Sequence, residues 1–129
     1  MVTKTENKNI MIIHYKSKEI VYINFAKKSV VRNKLEILEI IDEAKKIVSQ
    51  YSPKSCLIIT NLTSTGFDKE ISNAFKDYAK HNTPYVKASV LIGLSGMQKV
   101  IFEIVKKVTK RNYFLTNSLE EGKEWLINQ

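Results

Sequence analysis

The chain has 129 residues, 43% of them apolar and 26% charged, with a net charge of +8 and a single cysteine. That is enough for one core, and no apolar run approaches the roughly 18 residues that a membrane-spanning helix needs. Lone Cys56 excludes an internal disulfide, and the polar start MVTKTENKNI lacks a signal peptide's apolar centre, so the expected location is cytoplasmic. Residues 1–9 are expected to form a flexible tail, and residues 10–129 one domain. Ile10–Tyr15 and Ile20–Phe25 read as two strands joined by a tight turn at KSKE. Ser29–Tyr51 reads as a helix, with Val30, Ile37, Ile41, Ala44 and Val48 on one stripe and Glu36, Glu39 and Glu43 opposite. Ser52-Pro53 closes it, because the residue before proline disfavours the helical region.

Cys56–Thr60 is an unbroken apolar run ending in threonine, which suits a strand covered on both faces. Asp68 is placed to cap a helix over about 68–82, whose apolar residues Ile71, Ala74, Phe75, Tyr78 and Ala79 recur at helical spacing. Val86–Gly93 is another apolar strand. Ser95 and Gln98 have capping-box spacing. The helix they open, over about 96–109, is expected to turn Met97, Ile101, Ile104, Val105 and Val108 toward the sheet, with Phe102 beyond the centre of that stripe. Phe102 there packs at the flank of the stripe with partial exposure or, if fully exposed, is a candidate contact residue. Asn112–Thr116 reads as a last strand, and Ser118 with Glu121 forms a second capping box before a closing helix over about 118–128. The order β-β-α-β-α-β-α-β-α predicts an α/β fold: a five-stranded, mostly parallel sheet with an antiparallel first strand at the N-terminal hairpin.

In open α/β sheets, ligands bind beyond the carboxyl ends of the parallel strands. Four segments map there: 26–29, 61–66, 93–96 and 116–118. Their polar residues and turn glycines, Asn61, Gly93, Ser95, Gly96 and Asn117, are candidate ligand-rim residues. Thr63, Ser64 and Thr65 are candidates for an anion or phosphorylation site. The same residue types also serve ordinary caps and turns. Gly-Leu-Ser-Gly at 93–96 has the spacing neither of a nucleophile elbow nor of a phosphate loop. His14 and His81 have no ligand-spaced partner, so no metal site and no cofactor are expected. Cys56 sits inside a strand with no local sign of activation. No enzyme activity is expected. The positive charge is almost all scattered lysine, the only arginines being Arg32 and Arg111. Lys, Ile and Asn share AT-rich codons, which accounts for much of the basicity, and specific readers of nucleic acid favour arginine. Nucleic-acid binding is accordingly expected to be weak and salt-sensitive.

The stretch HNTPYVKASVLIGLSGMQKVIFEIVKKVTKRNYFLTNSLEEGKEWL, residues 81–126, resembles the second half of small bacterial STAS-like proteins, the SpoIIAA-like group compared in fold with CRAL-TRIO domains. PYVKASVLIGLSG, the following KVIF, the pair Arg111-Asn112 and the closing Glu124-Trp125-Leu126 carry the resemblance, and LIITNLT extends it more weakly. The resemblance implies helices packed largely against one face of the sheet. It also implies regulation through protein contacts, in some members switched by phosphorylation of a loop that here reads Thr63-Ser64-Thr65-Gly66, without the preceding acid. The expectation is thus a non-enzymatic regulatory or interaction module with a protein partner. The alternative is a binding domain for a small apolar or anionic, lipid-like ligand.

Overall fold

The computed structural model describes residues 7–129; the part of the expected tail at 1–6 lies outside the described residues. Residues 7–9 are tied down: the Asn24 N–H donates to the Asn9 carbonyl at 2.8 Å, and the Asn9 amide donates to Glu36. Strands β1 (Ile10–Tyr15) and β2 (Lys18–Asn24) form the antiparallel hairpin. Its turn is only Lys16-Ser17, both at positive φ, 47° and 69°. That twist matches a two-residue hairpin without the usual Asn or Gly, so β2 begins two residues before the apolar pattern does.

Helix α1 (Val30–Val48) starts at Ser29, whose hydroxyl accepts from the Arg32 N–H, and buries Ile37, Ile40, Ile41, Ala44, Ile47 and Val48. Strand β3 (Cys56–Asn61) is buried from Cys56 through Thr60, as a strand covered on both faces must be. Helix α2 (Lys69–Asn82) is capped by Asp68, whose carboxylate accepts from the Ile71 N–H at 2.8 Å. Strand β4 (Val86–Ile92), helix α3 (Met97–Thr109), strand β5 (Tyr113–Thr116) and helix α4 (Leu119–Ile127) complete the chain. The five strands lie in sequence order, β1-β2-β3-β4-β5, and β2 to β5 are mutually parallel.

Alternation along the strands divides the core between the two faces of the sheet. Val21, Ile23, Cys56, Ile58 and Val86 meet α1 and α2 on one side. Ile20, Leu57, Ile59, Ala88 and Val90 meet Leu126 of α4 on the other. Gly122 permits that second contact, since a Cβ there would lie 2.9 Å from Cγ1 of Val90. Trp125 of α4 stacks on Phe114 of β5, ring centroids 5.2 Å apart.

Helix α3 is turned differently from its sequence stripe. Its buried residues are Gln98 and Phe102, whereas Met97, Val100, Ile104 and Val108 are exposed. Ile104, expected to face the sheet, is 43% exposed, and Phe102, expected at the flank of the stripe with partial exposure, is only 7% exposed. Apolar residues cover more than half of the helix circumference, so periodicity finds an apolar face without deciding which part of it docks. Two interactions decide. The Phe102 ring packs edge-on against Tyr113 at 5.2 Å. The Gln98 amide donates to the carbonyls of Leu62 and Thr65 at 3.1 and 2.7 Å.

The capping boxes are also only half formed. Gln98 accepts from the Ser95 N–H, but the residue at the cap is Gly96, without a side-chain bond. Ser118 accepts from the Glu121 N–H, while the Glu121 carboxylate is taken by the Thr116 hydroxyl rather than by the Ser118 backbone.

Candidate functional site

The four segments at the carboxyl edge of the sheet do come together. The Lys27 N–H donates to the Thr63 carbonyl, Gly66 N–H to Lys28, Leu62 N–H to Ile92, and Gly93 N–H to Thr116. Gly93, at φ 77°, backs directly onto Thr63: a Cβ there would lie 2.2 Å from the threonine Oγ1. The rim is an interlocked set of turns, and much of its polar capacity is used internally. Asn61 donates to the Tyr22 hydroxyl and accepts from the Thr63 N–H. The Thr65 hydroxyl is buried and donates to the Phe25 carbonyl at 2.8 Å. Ser64, Ser95, Gly96 and Asn117 are exposed. Of the three hydroxyls in the 63–65 loop, Ser64 is the exposed one, held at φ 54°. The N-terminus of α2 that follows is already served by the Asp68 carboxylate. The Ile71 N–H, first, and the Lys34 ammonium hold that carboxyl below its usual range.

An apolar concave feature lies elsewhere, on the sheet face beneath α2 and α3. A cavity of about 70 Å³ opens between β3, β4 and β5 and these two helices. Its walls are mainly apolar: Ile58, Leu62, Leu91, Leu94, Ile101, Phe102 and Val105, with Phe67 and Phe75. The aromatic wall is ordered, Phe67 stacking on Phe75 at 4.8 Å and Phe75 meeting Tyr78 edge-on at 6.4 Å. The strands run parallel and both helices run back against them. The Phe67, Leu62 and Leu94 end therefore lies toward the carboxyl edge, and the Tyr78, Asn82 and Arg111 end toward the amino edge.

That amino end is polar. Asn82 and Ser89 are buried there, at 1% and 2% exposure, and Thr60, also buried, lies nearer the carboxyl edge, level with Leu91. Arg111 enters from the start of β5. One of its terminal nitrogens donates to the Ser89 hydroxyl at 3.2 Å, and its guanidinium lies 4.9 Å from the centre of the Tyr113 ring. Its Nε is buried with no hydrogen-bond partner, and so is the Tyr78 hydroxyl. Asn82 and Thr60 approach the phenol and pull against its burial, but neither reaches hydrogen-bond geometry. Burial is the dominant influence and pushes the Tyr78 phenol above the usual tyrosine range, with the Arg111 charge acting in the opposite sense. Cys56, on the same sheet face, is pushed up to about 12 by burial, again opposed by Arg111. Its thiol is a core group and not a poised nucleophile.

Sequence reasoning missed Arg111 and Tyr78 as site residues. Arg111 did carry a signal: it is one of only two arginines in a lysine-rich chain and stands immediately before a short strand. Tyr78 carried none, being an ordinary member of a helical stripe. Among the described residues no group of three or more His, Cys, Asp or Glu could hold a metal ion. No described helix is long and apolar enough to cross a membrane.

No protein-family model matches the chain, and no curated protein does. A solved structure does: an uncharacterized protein of the DUF3478 family with a SpoIIAA-like fold, from Shewanella loihica PV-4. The likeness has a TM-score of 0.64 and covers 96% of this chain and 99% of that one, at 12% identity. At that identity the likeness is one of fold, and it agrees with the element order, the hairpin and the parallel sheet described above: the chain is an α/β domain with a SpoIIAA-like fold.

Proposed function

We propose that this protein is a non-enzymatic binding domain for a small ligand with an apolar body, held between the sheet and helices α2 and α3. The observation that carries the reading is the cavity: an apolar chamber on a rigid sheet face, closed at one end by buried polar groups. Small-molecule sites have this composition, mostly apolar walls with a few convergent polar groups. At about 70 Å³ it is under half the ~150 Å³ cavity that accepts benzene, so it suits a short aliphatic chain rather than a ring or a long acyl chain. Native mass spectrometry of the purified protein, followed by thermal shift with short aliphatic probes, tests the reading. A bound small molecule, or stabilisation by the probes, is the expected result. Failure of every aliphatic probe to bind would end it.

A second reading, a regulatory module that works through a protein partner, draws on a separate observation. The outward face of α3 exposes Met97, Val100, Ile104 and Val108, and Lys99, Lys106, Lys107 and Lys110 lie on the same helix and its cap, none of them in an ion pair among the described residues. Two copies of such a face would repel each other. The partner that fits is another protein presenting an apolar strip with an acidic border. A phosphate on exposed Ser64 would add about two negative charges on the rim and supplies the regulatory variant of this reading. Co-precipitation that is lost with Val100→Asp while the fold is retained would support it; an unchanged catch would count against it.

A further inference from the structure

The polar end of the cavity carries more information than its apolar walls. Two buried donors there have no acceptor, Nε of Arg111 and the hydroxyl of Tyr78. The guanidinium is a permanent charge, and no carboxylate among the described residues pairs with it. No Asp or Glu lines the cavity. Arg111 is only partly buried, so its uncompensated charge carries a reduced cost, and each of the two buried donors without an acceptor adds to it. A single ligand group with two acceptor oxygens and one negative charge would meet all of these needs.

We propose that the ligand is a small aliphatic carboxylate, its two oxygens accepting from Arg111 Nε and Tyr78 Oη and its chain lying along Phe102 and Leu91 toward the carboxyl edge. The inference rests on the reading of the cavity as a ligand site and adds the chemistry of the head group. A carboxylate is favoured over a phosphate because the chamber is small and mostly apolar, so a doubly charged head would be poorly compensated there. The Ser89 hydroxyl, by holding one terminal nitrogen, keeps the guanidinium from rotating out of place. Tyr113 lies against the guanidinium and supports it from the side.

The test compares hexanoate, hexan-1-ol, hexylamine and acetate by calorimetry, with backbone amide shifts of Ser89 and Tyr113 to locate binding. Hexanoate is more strongly hydrated than hexan-1-ol, so a site without a matching charge would prefer the alcohol. The wild-type protein is expected to bind hexanoate at least about tenfold more tightly than hexan-1-ol, the scale of one charge-assisted hydrogen bond. Hexylamine and acetate should bind at least about tenfold more weakly than hexanoate. Arg111→Gln should reverse the order, keeping hexan-1-ol and losing hexanoate. Tyr78→Phe should weaken hexanoate by several-fold with little effect on the alcohol. Should Arg111→Gln fail to fold, the wild-type order together with Tyr78→Phe still decides. Equal binding of hexanoate and hexan-1-ol by the wild-type protein overturns the carboxylate and leaves the cavity reading standing. Binding of none of the six-carbon probes overturns both. Hexanoate and acetate binding alike, with shifts only at surface lysines, also overturns the carboxylate site.

Discussion

The orientation of α3 can be tested directly by truncating two of its residues, because the structure and the bare apolar periodicity predict opposite outcomes. Phe102 is 7% exposed, packs edge-on against Tyr113 at 5.2 Å and forms part of the cavity wall. A fully buried Phe→Ala change costs about 3–5 kcal/mol. One side of the Phe102 ring already faces the cavity and has fewer neighbours to lose. Loss of the aromatic pair adds about 0.5–1.5 kcal/mol, so the expectation is a loss near 3 kcal/mol. Ile104 is 43% exposed, so only about half of its burial energy of roughly 2–3 kcal/mol is at stake. The better helix propensity of alanine returns a few tenths. Ile104→Ala should therefore cost less than about 1 kcal/mol. Urea unfolding of both variants at one pH reads the difference. At about 4 °C per kcal/mol for a domain of this size, the Phe102→Ala midpoint should drop by roughly 12 °C in a thermal scan. An Ile104→Ala loss equal to or larger than that of Phe102→Ala would show the helix turned as its stripe suggests, and would remove the wall on which the cavity depends.

Three further perturbations follow from individual contacts. Gln98→Met keeps the volume but leaves the Thr65 carbonyl and the Ser95 N–H without their side-chain partner; a loss of about 2 kcal/mol in urea unfolding is expected, and a neutral change would show the amide to be dispensable. Gly93→Ala places a methyl against the Thr63 side chain and backbone at a φ of 77°, so it should destabilise by more than about 2 kcal/mol and by more than Gly96→Ala, which shares the backbone strain at a φ of 51° but has nothing within 4 Å of the added atom. At alkaline pH, burial holds the Cys56 thiol protonated up to about 12, against a free value of 9.0, and holds the Tyr78 phenol above its free value of 10.0. These groups ionise first in the unfolded chain, so their contribution is complete below about pH 9 and is lost as pH rises through the folded values; the urea midpoint should fall between pH 8 and pH 11, and by less in Cys56→Ala than in the parent.

The local features of this chain were legible because local chemistry decides them. Asp68 caps α2 through a bond to a residue three positions on, which any reader of the sequence can anticipate. The run Cys56–Thr60 has no polar position to offer solvent before its last residue, so it has to be a strand covered on both faces, and it is. The α1 stripe works in the same way, since its opposite face is acidic and only one side can be buried. Where such contrast is missing, the sequence is silent. Helix α3 is apolar around most of its circumference, and its rotation was settled by Phe102 reaching Tyr113 and by Gln98 reaching carbonyls more than thirty residues away. Topology places the four carboxyl-edge segments side by side, yet Asn61 and Thr65 turn out to be bonded to Tyr22 and Phe25. That depends on which turns abut, and no turn records its neighbours. The cavity is the extreme case. Its lining comes from three strands, two helices and the loops between them, and its unpaired donors are unpaired only because of what the fold does not place beside them. Arg111 and Tyr78 lie 33 positions apart, and only the packing of α2 and α3 over the parallel sheet brings their free hydrogens to one end of one chamber.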